Sequence, residues 1–107
     1  MTPNWEWQRT DTESVLVVHG DLDVAVGAEF VNAVDAVLSD DGSPTKVVID
    51  LGDVEFIDSS GLRALLQVQQ SYGERIRVGA VSAAVHRLLE ITGTLDHLKP
   101  GGSERND

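Results

Sequence analysis

Two consecutive serines that directly precede a predicted helix are the residues of this chain best placed to do chemistry. They belong to the stretch Asp58-Ser59-Ser60-Gly61, and the apolar spacing of a helix begins right after it, at Leu62. The first amides of a helix have no partner within the helix, so a side-chain oxygen of Asp58, Ser59 or Ser60 can cap them. The same amides and the helix dipole also favour an anion. The stretch therefore predicts either an ordinary helix cap or a serine that accepts a phosphoryl group.

Catalytic alternatives use the same serine or the acidic residues of the chain. His19, Ser59 and an aspartate could form a nucleophilic triad, but Ser59 lacks the Gly-x-Ser-x-Gly turn that exposes such a nucleophile. A magnesium pocket could be built from four aspartates: Asp21, Asp23, Asp50 and Asp58. An acid pocket like that of a response-regulator receiver also needs a suitably placed lysine, and the chain has only Lys46 and Lys99. We therefore predict a protein that is not an enzyme and that holds no metal or cofactor.

Apolar periodicity places the serines inside an α/β domain. Strand patterns occur in four segments, residues 5–10, 13–19, 46–51 and 75–78, of which the first two predict a hairpin. Helical spacing occurs in three segments, residues 26–38, 62–72 and 85–92. Strands that alternate with helices predict an α/β fold with a small mixed sheet of about four strands packed with three to four helices.

Two further expectations concern this sheet. The run Val15-Leu16-Val17-Val18 is apolar at every position, which is typical of a central strand covered on both faces. Residues 20–26 and 52–61 follow parallel strands, and we expect them to be loops at the carboxyl ends of those strands, where folds of this class place functional groups.

The charge of the chain limits its partners. Its 107 residues, enough for one domain, include 8 basic and 18 acidic residues, and the formal net charge is −10. Such a charge disfavours direct binding to nucleic acid or to anionic membranes. The chain has no cysteine and begins without the basic and apolar segments of an export signal, so we expect a cytoplasmic protein. Residues 1–58 hold 13 of the acidic residues, and this excess either only keeps the protein soluble or forms an acidic face for a basic partner.

Three motifs, in the order of the predicted elements, resemble the signatures of one family. Asp50-Leu51, Val54 and the run from Phe56 to Leu62 strongly resemble the signature of the STAS domain, and more narrowly that of bacterial anti-sigma factor antagonists. Residues 20–23 resemble the earlier Gly-acid-Leu-Asp element of the family, and residues 85–93 resemble its third-helix pattern. The resemblance implies a STAS domain at residues 1–98, and the polar, glycine-rich residues 99–107 predict a flexible tail.

The resemblance also implies a regulator that switches partners. In anti-sigma factor antagonists the first serine of this stretch, here Ser59, is phosphorylated by an anti-sigma factor that is itself an ATP-dependent serine kinase. The unphosphorylated antagonist binds that kinase and frees a sigma factor for transcription, and the phosphorylated antagonist releases it until a phosphatase removes the phosphate. We expect Ser60 to cap the helix and Asp58 to orient the loop. The partner-binding residues that the resemblance predicts are Asp21, Asp23, Asp58, Ser60 and Gly61.

This sequence departs from the family pattern at two places, and it also allows one alternative function. The entry of the first helix has Val26 and Ala28 where the family commonly has a hydroxyl and then a proline, so we expect a weaker cap there. Ala83 and Ala84 replace a proline before the third helix. STAS domains also serve as interaction subunits without a switch, in lipid-transport or stress-signalling assemblies, and the sequence leaves this alternative open.

Overall fold

Four strands and four helices make up residues 5–9, 13–38 and 46–98, the part of the chain that the computed structural model describes. In chain order they are β1 (Trp5–Arg9), β2 (Glu13–Leu22), α1 (Val24–Leu38), β3 (Lys46–Ile57), α2 (Ser59–Tyr72), β4 (Ile76–Val81), α3 (Ala83–Thr92) and α4 (Leu95–Leu98). A short 3-10 turn, Gly73–Arg75, joins α2 to β4. None of the described helices is long and apolar enough to cross a membrane. The predicted tail at 99–107 lies outside the described residues.

The strands form one mixed sheet in the order β1-β2-β3-β4. β1 runs antiparallel to β2, while β2, β3 and β4 are parallel. The register aligns one residue of each strand across the sheet, namely Trp7, Leu16, Ile49 and Val78. The predicted α/β fold with a mixed sheet is therefore confirmed.

The core lies on one face of the sheet. Leu16, Val18 and Ile49 are completely buried there. Each helix adds apolar residues at helical spacing to the same cluster, including Phe30, Val34, Leu38, Leu62, Leu65, Val68, Val85 and Leu89. On the other face Val15 and Val17 are only half-buried. The expectation that β2 is covered on both faces is wrong, because the helices share a single core on one side.

The expected loops at residues 20–26 and 52–61 are also wrong. β2 continues to Leu22, and β3 continues through Gly52 to Ile57. The pairing of these strands has register shifts, so the polar residues lie within the strands instead of in loops. In β3 the Asp50 side chain accepts a hydrogen bond from the Gly52 amide at 2.9 Å. Only one residue, Asp23 or Asp58, then separates each strand from the helix that follows it.

Candidate functional site

The candidate site lies where β2 and β3 end side by side and α1 and α2 begin. Leu22 pairs with Ile57 in the register of the two strands, so the next residues, Asp23 and Asp58, are neighbours at one edge of the sheet. The first turns of α1 and α2 therefore start next to each other. This edge carries all the residues that the sequence predicted for partner binding, together with Ser59.

Aspartates cap both helices. The Asp58 Oδ1 atom accepts a hydrogen bond from the Gly61 amide at 2.9 Å, and Asp23 Oδ1 accepts one from the Val26 amide at 3.1 Å. Asp58 has the extended backbone of an N-cap residue, which brings its short side chain to the third amide of the helix. The prediction that Ser60 caps α2 is wrong, because the helix begins two residues earlier than that cap requires and Asp58 is the N-cap residue. At α1, where we expected a weaker cap, the bond to Asp23 is present, and the strength of that cap stays a prediction.

Gly61 fixes the start of α2 against the end of β2. A Cβ atom at Gly61 would stand only 2.1 Å from the carbonyl oxygen of Leu22. That oxygen also accepts a hydrogen bond from the Asp58 amide at 3.5 Å. Because no side chain fits between the helix and the strand, only glycine allows this approach. The buried Gly61 therefore positions the two serines before it, and its predicted place in a partner surface stays a prediction.

The two serines differ in accessibility. Ser59, the first residue of α2, is exposed, whereas Ser60 is half-buried. Ser60 lines a groove of about 210 Å³ between the first turns of α1 and α2, and Val24, which is 68% exposed, lies on the other side of that groove. The two helices approach closely here, since a Cβ atom on Gly27 would be 3.3 Å from the Cβ atom of Ala64. The site thus combines an exposed hydroxyl with an adjacent groove that contains apolar side chains.

The charge around Ser59 is mainly negative. Asp21 is exposed near the end of β2, and Asp23 and Asp58 are half-buried next to Ser59 along the sheet edge. Arg63, on the next turn of α2, is exposed. A phosphate on Ser59 would add about −1.5 to −2 charges to this surface at neutral pH. The sequence analysis did not single out Arg63, although its spacing of four from Ser59 places both residues on one side of the helix.

The structure does not assemble either catalytic alternative. His19 contacts Asp53 through Nδ1 at 3.1 Å and Glu6 through Nε2 at 3.2 Å. Both ring nitrogens therefore contact carboxylates, and neither contacts Ser59. Of the four aspartates considered for magnesium, Asp23 and Asp58 cap different helices and Asp50 bonds the Gly52 amide within β3. In the described part of the chain, no three acidic or histidine residues are arranged to hold a metal ion.

Comparison with known proteins places the chain in a family. The model of the family described as Mlab, STAS domain matches residues 5–100. The anti-sigma-F factor antagonist RsfB of Mycobacterium tuberculosis is 35% identical over 69 residues, which are 64% of this chain and 55% of RsfB. The chain thus spans about half the length of the curated relatives it matches.

Solved structures agree with this assignment. An anti-sigma factor antagonist from Mycobacterium paratuberculosis has a TM-score of 0.75 and 30% identity, with 88% of this chain and 80% of that chain covered. The phosphorylated form of SpoIIAA, a cell fate determinant of Bacillus, has a TM-score of 0.65 over 83% of both chains, and its identity of 16% indicates a shared fold alone. The chain therefore belongs to the STAS-domain family, and it is similar to anti-sigma factor antagonists.

Proposed function

We propose that this protein is an anti-sigma factor antagonist that is controlled by phosphorylation of Ser59. When Ser59 carries a free hydroxyl, the protein binds an anti-sigma factor with serine kinase activity and so frees a sigma factor for transcription. When Ser59 is phosphorylated, the complex dissociates, and a phosphatase restores the binding form. The protein acts in the cytoplasm as a substrate and regulator, and it needs no cofactor of its own.

One observation carries this proposal: Asp58, and not a serine, caps α2. A hydroxyl at the start of a helix is ordinarily explained as a cap. Because the Asp58 side chain already accepts the hydrogen bond of the Gly61 amide, Ser59 is not needed as a cap, and its side chain is exposed. The name of a relative supports the antagonist part of the proposal, since RsfB is an anti-sigma-F factor antagonist.

The chemistry of the switch divides between the two proteins. The Ser59 oxygen attacks the γ-phosphorus of ATP, its proton passes to a base of the kinase, and ADP leaves. The kinase supplies the base, the magnesium ion and the nucleotide. This chain supplies an exposed hydroxyl on a fixed first turn, because the Asp58 cap and the close approach of Gly61 to Leu22 hold that turn in place.

Electrostatics explains how a phosphate would end binding. The partner surface must accept Asp21, Asp23 and Asp58, and it is expected to be basic. A phosphate adds about −1.5 to −2 charges and a strongly hydrated group to the centre of this contact, which disturbs apolar packing around Val24 and costs desolvation. A loss of about 1.4 kcal/mol already weakens binding tenfold. No refolding of the domain is needed.

The proposal is tested by affinity purification from a lysate of the source bacterium, with four baits. The baits are the wild type, Ser59→Ala, Ser59→Asp and Gln70→Glu, the last of which adds one negative charge at an exposed position near the other end of α2. We expect the wild type, Ser59→Ala and Gln70→Glu to retain an anti-sigma factor with a kinase domain, and Ser59→Asp to lose it. The captured kinase with Mg-ATP should then add one phosphoryl group to the wild type and none to Ser59→Ala.

Retention of the same partner by all four baits would contradict the switch. That result would favour the second candidate, an interaction subunit without a switch, which is supported by the Mlab description of the matching family model. In that case the charge at Ser59 would not decide whether the partner is bound.

A further inference from the structure

Arg63 lies one helical turn beyond Ser59 on the same side of α2. Both residues are exposed, and side chains four positions apart on a helix are neighbours with Cβ atoms about 5–6 Å from each other. A negative group that precedes a positive group by four residues is the favourable order for such a pair, because it agrees with the helix dipole. A phosphate on Ser59 would have this arrangement with the guanidinium of Arg63.

The Arg63 side chain is not committed elsewhere in the described part of the chain. Two other arginines have partners: Arg77 pairs with Glu13 at 3.7 Å, and Arg75 donates to the Leu38 carbonyl oxygen at 3.4 Å. No ion pair of Arg63 occurs among residues 5–9, 13–38 and 46–98. Its guanidinium is therefore free to bind a new anion.

Arg63 differs in charge from the residues around it. Among the described residues that line the groove between α1 and α2, Arg63 carries the only charge. The charged groups nearest along the sheet edge are the carboxylates of Asp21, Asp23 and Asp58, which would repel a phosphate. A dianion on Ser59 would thus have three acidic neighbours and one basic neighbour, and a flexible arginine side chain can reach it with its forked donors.

We propose that Arg63 binds the phosphate of phosphorylated Ser59 within the same chain. This inference rests on the proposed function, since it assumes that Ser59 is the residue that becomes phosphorylated. The contact would hold the phosphate on α2 and would draw the guanidinium away from the groove beside Ser60. Phosphorylation would then change the surface in two ways, because it adds negative charge at Ser59 and removes the available positive charge of Arg63.

The test measures the ionisation of the phosphate itself. The full chain is produced with phosphoserine incorporated at position 59 during translation, so that no kinase is required, and its phosphorus NMR signal is followed against pH. An arginine in contact favours the dianion and lowers the second pKa of the phosphate, which is about 6 in a free phosphoserine. We expect Arg63→Gln to raise that pKa by about 0.3 pH unit, the value that corresponds to an exposed pair of this spacing.

Two further variants serve as controls for this titration. Arg87→Gln removes one positive charge at an exposed position of α3 and should leave the phosphate pKa unchanged. Arg63→Lys keeps the charge and should restore part of the effect. Equal pKa values in the wild type and Arg63→Gln, or equal shifts in Arg63→Gln and Arg87→Gln, would overturn the inference. Because no kinase is used, a failure of this titration would overturn the contact with Arg63 alone, and it would be distinguishable from a failure of the proposed function.

Discussion

Gly61→Ala is expected to destabilise the domain strongly, although the substitution adds only one methyl group. In the folded protein that methyl would stand 2.1 Å from the Leu22 carbonyl oxygen, far inside van der Waals contact. The oxygen belongs to the backbone at the end of β2, which is paired with β3 and cannot rotate away as a side chain could. The start of α2 must therefore move away from the sheet, and it would carry Asp58 and Ser59 with it.

The expected loss follows from two opposing effects. Forcing an extra methyl into a packed site costs about 1–3 kcal/mol, and a contact with backbone belongs at the upper end. Alanine is the better helix former and recovers about 1 kcal/mol. The free energy of unfolding should therefore fall by about 2 kcal/mol, and a typical domain has a total of about 5–15 kcal/mol. With a urea m-value of about 1.5 kcal/mol per molar, the midpoint of unfolding would fall by about 1.3 M.

The assay is urea unfolding followed by circular dichroism, with Gly27→Ala as the matched control. Gly27 is also a buried glycine inside a helix, but its added Cβ atom would be 3.3 Å from the Cβ atom of Ala64, and a small adjustment of the two helices relieves that contact. We expect Gly27→Ala to stay within about 1 kcal/mol of the wild type, because helix propensity offsets the crowding. If Gly61→Ala unfolds at the same urea concentration as the wild type or as Gly27→Ala, the reasoning from the close approach is refuted.

Two other substitutions test the caps and the core by the same unfolding assay. Asp58→Ala should lower the free energy of unfolding by about 1 kcal/mol, because the Gly61 amide loses its acceptor, whereas Asp58→Asn should retain most of the stability; equal values for both variants would contradict the cap. Ser14→Ala should raise the free energy of unfolding by up to about 1 kcal/mol, because the completely buried Ser14 hydroxyl has no hydrogen-bond partner among the described residues; a loss of stability would indicate that this hydroxyl is bonded.

The order and type of the main elements could be predicted from local patterns. Helical spacing such as Phe30, Val34 and Leu38 identifies α1, because a helix buries residues of one stripe. The ends of the strands could not be predicted in the same way. Gly52 and Asp53 are typical of a turn, yet they lie in β3, where pairing with distant residues of β2 and a bulge stabilised by Asp50 keep the chain extended. Such pairing is not visible in a local stretch of sequence.

The motif singled out the residues of the candidate site, but their local geometry could not be predicted, and their role stays a prediction. The motif identified Ser59 and its neighbours, and the structure places them at one edge of the sheet. Which of Asp58, Ser59 and Ser60 forms the cap depends on where the helix begins, and that boundary is set by the contact of Gly61 with Leu22. The sequence also gave no sign that this contact is so close, because it joins two segments far apart in the chain.

The most direct test of the central claim is the affinity of this protein for its anti-sigma factor in two chemical states. The kinase captured by the wild-type bait is purified, and its binding is measured by calorimetry to the chain with serine at position 59 and to the chain with phosphoserine there. The phosphorylation switch predicts that the phosphorylated chain binds at least about tenfold more weakly, which corresponds to about 1.4 kcal/mol. Equal affinities for the two forms would contradict it.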